Sequence, residues 1–222
     1  MTFQEALRLH TALTASAEKN LLIAIARRLP RWINSDHLTG LGFVALLGAG
    51  ASYWYARYSD LGLWLVIVCL AVNWFGDSLD GTVARVRNQQ RPRYGFYVDH
   101  ILDALGTVAL VGGMAASGYL SWSVASAVLI AYFTLCIEVY LATYTLREFR
   151  ISFAGCGPTE LRIAIAVGNL ALLYGFRTGW TPFGRFAIFD IGGAVATIGL
   201  TVILLVTVVR HTAQLYREEP LP

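Results

Sequence analysis

Six stretches of this chain are long and apolar enough to cross the hydrocarbon core of a bilayer as helices. They run from Leu38 to Ala56, Leu61 to Val83, Phe96 to Leu120, Val124 to Thr145, Leu161 to Phe176 and Ile188 to Val209, the fifth being the shortest. A spanning helix needs about 20 such residues, and lipid leaves the backbone only helices or closed barrels in which to satisfy its polar groups. With 56% hydrophobic and 14% charged residues, the composition excludes an ordinary soluble domain of 222 residues. The sequence therefore predicts an all-α polytopic membrane protein with six transmembrane helices.

Ahead of the first stretch, Phe3, Ala6, Leu7, His10, Leu13 and Ala17, then Leu22, Ile25, Ala26 and Leu29, recur at helical spacing. That pattern predicts an amphipathic juxtamembrane helix ending before Pro30; an exposed tail is the plainer alternative. The unbroken apolar run there, Leu21 to Ala26, is short and no small-residue cleavage site follows it, so a removable signal is not expected. The expected organisation is a juxtamembrane segment over residues 1–37, one membrane domain over 38–210 and a tail over 211–222. Alternating the loops places the N-terminal cations, those from Arg85 to Arg93, and Arg147, Arg150, Arg162, Arg210 and Arg217 on one side, against Arg57, Arg177 and Arg185 on the other. Cations concentrate on the cytoplasmic face, so both termini are expected there. The net charge of +3 reports this topology rather than nucleic-acid binding. Cys69, Cys136 and Cys156 form no CxxC and have no histidine cluster nearby, which points to packing.

Four aspartates interrupt the second and third stretches. Asp77, Asp80, Gly81, Ala84, Arg85, Gly95, Asp99 and Asp103 spell D-x2-D-G-x2-A-R-x9-G-x3-D-x3-D. An ionised Asp at the centre of a membrane helix costs about 3 kcal/mol, so a cation must compensate the group. On a helix turning about 100° per residue, Asn73, Asp77, Asp80, Gly81 and Ala84 share one face, and Gly95, Asp99 and Asp103 stack along another at intervals of four. The polar, basic segment from Val86 to Tyr94, containing Pro92, reads as the turn between them. Two acidic stripes then face each other near the cytoplasmic surface. Hard divalent cations with oxygen ligands fit that set, Mg²⁺ or Mn²⁺, with two ions ~3.5–4 Å apart as the expectation. Small residues leave room for a ligand, and Arg85 offers a fork for phosphate oxygens.

This constellation resembles the signature of the CDP-alcohol phosphotransferases, and all eight of its positions match. The resemblance implies a dimeric six-helix membrane fold with a juxtamembrane helix and a site open to the cytoplasm and to lipid. It implies that Asp77, Asp80 and Asp99 ligate the metals, that Asp103 is the candidate base as well as a metal-site residue, and that Asp77, Gly81, Ala84, Arg85 and Gly95 surround the CDP moiety. The likeness extends over Ile33 to Thr39, where Asp36-His37 replaces the Pro-Asn often found before Leu38-Thr39. The implied reaction is transfer of a substituted phosphate from a CDP-linked donor, CDP-diacylglycerol in the preferred version, to an alcohol acceptor with release of CMP.

Other readings stand beside it. His100, between Asp99 and Asp103, resembles the choline and ethanolamine branch, where it would be the base and diacylglycerol the acceptor; packing is an equal alternative. Gly157-Pro158-Thr159-Glu160 also resembles that branch, although Pro158 and Glu160 are good helix-start residues in any case. Arg147, Arg150 and Arg162 are candidate acceptor ligands or plain cytoplasmic-side cations. Glu138, inside the fourth stretch, is expected to face the protein interior, paired or protonated, and Asp190 to lie at the opposite interface. Intramembrane carboxylates also occur in ion-coupled transporters and channels, and a non-catalytic lipid-binding protein would keep the same fold. Neither of these needs Gly81, Ala84, Arg85 and Gly95 at these spacings.

Overall fold

The computed structural model of the chain describes residues 7–9, 15–150, 157–178, 187–219 and 221. Its helices are α1 (Ala15–Arg28), α2 (Ser35–Tyr55), α3 (Leu61–Val86), α4 (Pro92–Ser117), α5 (Trp122–Thr145), α6 (Pro158–Thr178) and α7 (Ala187–Glu218). Each of the six apolar stretches forms a helix. Among the described residues α3, α4, α5 and α7 are long and apolar enough to cross a membrane. Glycines together with Asp36 and His37 dilute α2, and Glu160, Arg162, Asn169 and Arg177 dilute α6.

Helix boundaries follow local chemistry. Asn34 caps α2 by accepting from His37 N at 3.0 Å, and Asn34 N donates to His37 Nδ1 at 3.3 Å. The Asp36-His37 substitution thus supplies the return half of a capping box. Asn88, at φ 54, takes the left-handed conformation after α3, and Pro92 opens α4. Gly118, at φ 82, closes α4. Ser121 starts α5 by accepting from Val124 N, while its own backbone N donates to Asp190 Oδ1 on α7 at 2.8 Å.

The core is built on α2, which packs against both α3 and α4; α6 lies on α3, and α5 pairs with α7. Glycines set the closest approaches. A Cβ added to Gly113 would lie 2.2 Å from Gly50 O, and one on Gly76 would lie 2.6 Å from Leu38 O and 2.7 Å from Gly42 N. Small residues let membrane helices pack backbone to backbone in this way. Tyr53, Leu63 and Val66 are fully buried at the end away from the α3–α4 turn, and Tyr53 Oη donates to Asn169 Oδ1 on α6 at 2.9 Å. Outward residues such as Val44, Val195 and Ile198 are exposed and apolar, as lipid requires.

The N-terminal segment departs from its helical pattern. Leu7–Leu9 is extended and pairs in parallel with Glu148–Arg150, in the register Leu7 with Glu148 and Leu9 with Arg150. Among the described residues the helix begins at Ala15, and the backbone at Leu7 is engaged in strand pairing instead of helical bonding. Phe3, Ala6, His10 and Leu13 lie outside the described residues. From there the expected face appears: Leu22 and Ala26 are buried against Leu79 and Val83 of α3. Arg87 fixes the following connector, donating to Ile33 O at 2.5 Å, Leu29 O at 2.9 Å and Pro30 O at 3.1 Å.

Candidate active site

Helices α3 and α4, joined by the short turn around Asn88, bring the two acidic stripes together. Oxygens of Asp77, Asp99 and Asp103 all lie within 4.8 Å of one another. Asp80 lines the same recess, with Thr39, Gly42 and Phe43 of α2 behind it and Asn73 and Leu102 beside it. Behind the recess α2 approaches α3 closely at Gly76, where a Cβ would lie 2.6 Å from Leu38 O and 2.7 Å from Gly42 N.

The α3 stripe is tied to neighbours on both flanks. Thr39 Oγ1 donates to Asp80 Oδ2 at 2.7 Å, and Gly81 N donates to Asp80 Oδ1. On the other flank Arg162 of α6 sets Nη2 2.5 Å from Asp77 Oδ2 and Nε 2.6 Å from Asn73 Oδ1. Asn73 in turn donates from Nδ2 to Gly42 O at 3.0 Å. The Arg162 and Asp77 side chains are largely buried, 14% and 22% exposed, and charges so placed are screened less than surface pairs. Three converging carboxylates with a fourth alongside form an all-oxygen, strongly anionic donor set, which suits Mg²⁺ or Mn²⁺ and not a softer metal.

Toward the turn the stripe opens. Arg85, in the last turn of α3, is exposed and donates from Nη2 to Thr82 Oγ1 at 3.1 Å. Its guanidinium lies 3.3 Å from the point a Cβ on Gly81 would occupy, so Gly81 leaves the fork its space. A Cβ on Gly95 would meet nothing within 4 Å. Next to Ala84 is a cavity of about 360 Å³, lined otherwise by the polar residues Asn34, Ser35, Asp36, Gln89, Gln90 and Arg91. Arg91 closes one side through an ion pair to Asp36, with its guanidinium 4.2 Å from the centre of the Tyr94 ring.

The remaining candidates divide. His100 turns toward α5: its ring stacks on Phe96 at 4.2 Å and meets the edge of Tyr140 at 5.3 Å. Its Nδ1 is 2.7 Å from Phe96 O and 3.7 Å from Asp99 Oδ2. Arg162 joins the acidic cluster, whereas Arg147 is exposed at φ 60 beyond α5, and the Arg150 side chain lies outside the described residues. Glu160 accepts from Gly157 N at 2.9 Å at the start of α6, as a first-turn acid should. Glu138 is paired, its Oε1 2.6 Å from His211 Nδ1 on α7. Cys69 and Cys136 are free thiols, and Cys156 lies outside the described residues. Thr39 carried no sequence signal as a site residue, and Asn73 showed only that it shares the acidic face.

Comparison with known proteins adds two findings. The family model described as CDP-alcohol phosphatidyltransferase matches residues 33–209. The chain is also 29% identical over 132 residues to an archaetidylinositol phosphate synthase of Pyrococcus horikoshii, a match covering 60% of this chain and 62% of that protein's length. No solved structure matches.

Proposed function

Because the chain belongs to the CDP-alcohol phosphatidyltransferase family, we propose that it transfers a substituted phosphate from a CDP-linked lipid to a small alcohol that itself carries an anionic group. The observation that carries this reading is the convergence of Asp77, Asp99 and Asp103 with a guanidinium, Arg162, already at its edge. Membership makes the protein a transferase of phospholipid biosynthesis in the membrane. The anionic acceptor, of which an inositol phosphate is the first example to try, is supported by Arg162 and by the name of the Pyrococcus relative.

In this reading all six apolar helices span the bilayer, both termini and the site face the cytoplasm, and the enzyme is a homodimer; the family likeness and the distribution of arginines support it. Asp77, Asp80, Asp99 and Asp103 hold Mg²⁺ or Mn²⁺. Bound there, divalent ions would polarise the pyrophosphate oxygens and offset charge developing on the leaving phosphate.

The protein's own groups do the rest. The cytidine lies toward Ala84 in the 360 Å³ cavity, and Gly81 and Gly95 admit its phosphates beside the Arg85 fork. The acceptor approaches from the α6 side, where Arg162 attracts its anionic group, with Arg147 and Arg150 as further candidate ligands. The acceptor oxygen bonds to the lipid-bearing phosphorus as the bond to the bridging oxygen breaks, and CMP departs with that oxygen. Asp103, one turn deeper than Asp99, takes the hydroxyl proton. Asp103 is favoured over His100 because the His100 ring is stacked on Phe96 and packed against the edge of Tyr140, with Nδ1 already engaged by Phe96 O.

The test is CMP release by purified protein with Mg²⁺ or Mn²⁺. One mixture contains CDP-diacylglycerol with serine, glycerol phosphate and inositol phosphate; the other contains CDP-choline or CDP-ethanolamine with diacylglycerol. Release in the first, abolished by Asp103→Asn, is expected. Release only in the second would reverse the donor and return His100 to the role of base. Silence in both would move the search to another CDP-linked lipid donor or to a non-catalytic lipid-binding protein.

A further inference from the structure

The acidic cluster already contains a cation. Arg162 forks between Asp77 Oδ2 and Asn73 Oδ1 at 2.5 and 2.6 Å, and Asn73 is itself held by Gly42 O at 3.0 Å. Asn73 is 1% exposed and uses both ends of its amide. A carbonyl only accepts and a guanidinium only donates, so a single orientation of the amide serves both neighbours. The chain from Gly42 through Asn73 to Arg162 therefore aims the guanidinium at Asp77.

Asp77 also belongs to the carboxylate set that suits a divalent ion. A guanidinium on Asp77 Oδ2 competes for the same lone pairs and repels an incoming cation. Farther along α6, Asn169 is fully buried and bonded to Tyr53 at 2.9 Å. That bond anchors α6 about two turns beyond Arg162.

We propose that Arg162, aimed by Asn73, is a positioning residue that exchanges with the divalent ion: it neutralises Asp77 in the metal-free protein and yields Asp77 when metal binds, becoming available to an anionic acceptor. The inference rests on the metal-site reading above. Linkage requires that Arg162 weaken metal binding by the factor by which metal loosens Arg162.

The experiment is a Mn²⁺ titration of the purified full chain in lipid nanodiscs, without substrates, followed by the electron paramagnetic resonance of free Mn²⁺. Arg162→Met is expected to bind Mn²⁺ more tightly, on the order of tenfold. Removing any nearby positive charge would act in the same direction, so two charge-conserving variants decide. Asn73→Ala releases the fork and Arg162→Lys shortens it, and each is expected to tighten binding several-fold. Wild-type affinity or weaker in Arg162→Lys, or in a folded Asn73→Ala, would overturn the exchange and leave Arg162 a through-space charge. Absence of saturable Mn²⁺ binding in the wild type, or binding unaffected by Asp99→Asn, would instead reject the metal site and the inference with it.

Discussion

Thr39 on α2 donates its hydroxyl to Asp80 on α3 across 2.7 Å, tying a helix without signature residues to one that carries five of them. Groups that orient a ligating carboxylate commonly cost about 10- to 100-fold in metal affinity or activity when lost. Thr39→Val keeps the shape and removes the donor. It is expected to lower Mn²⁺ affinity and CMP release by about tenfold, while Thr39→Ser retains most of both; titration and initial rates read the two effects.

Helix spacing should be as sensitive as hydrogen bonding. Gly76→Ala would place a carbon 2.6 Å from Leu38 O, a backbone atom that cannot swing aside. Overpacking of this kind costs about 1–3 kcal/mol. Thermal unfolding in detergent should show the loss, with Gly40→Ala, where a Cβ meets nothing within 4 Å, unchanged or slightly stabilised.

Arg85 should separate nucleotide binding from metal binding. It stands beyond the carboxylates, bonded to Thr82 and facing solvent. Arg85→Ala is expected to raise the KM for the CDP-linked donor by about tenfold and to leave Mn²⁺ affinity close to wild type. Comparable donor affinity in the variant would reject its role as a phosphate fork.

Glu138 and His211 join α5 to α7 through a 2.6 Å contact, with side chains only 10% and 24% exposed. Replacing either with Ala leaves the other in a poorly solvated setting. A double-mutant cycle on thermal stability should therefore give a favourable coupling of about 1–3 kcal/mol, the double variant being less damaged than the sum of the singles. Strict additivity would mean that the pair holds nothing.

Signals carried by one helix were legible in the sequence, and signals that depend on two helices were not. The i, i+4 spacing of Asp99 and Asp103, and the face shared by Asp77 and Asp80, sufficed to predict opposed acidic stripes, because helical geometry and a short turn leave little alternative. Pro158 and Glu160 likewise marked the start of α6. Glu138 declared by its cost that it needed a partner, but His211 lies 73 positions away. Thr39 is 41 positions from Asp80, and Arg162 is 89 from Asn73. A hydroxyl or an amide at such separations has no periodic neighbour to betray it. At Leu7 the local pattern misled, since apolar residues at helical spacing are equally free to pair as a short strand.

Chain order gives the Arg162–Asp77 contact a consequence for biogenesis. The helices bearing the carboxylates leave the ribosome before α6, so the anionic cluster is complete while its guanidinium is still being translated. An arginine entering lipid alone costs about 2.5–3.5 kcal/mol on translocon scales, and α6 is among the less apolar helices of the chain. An acceptor already waiting at Asp77 offsets that cost, so a carboxylate of the acidic cluster also gives the later, more polar helix a place to dock.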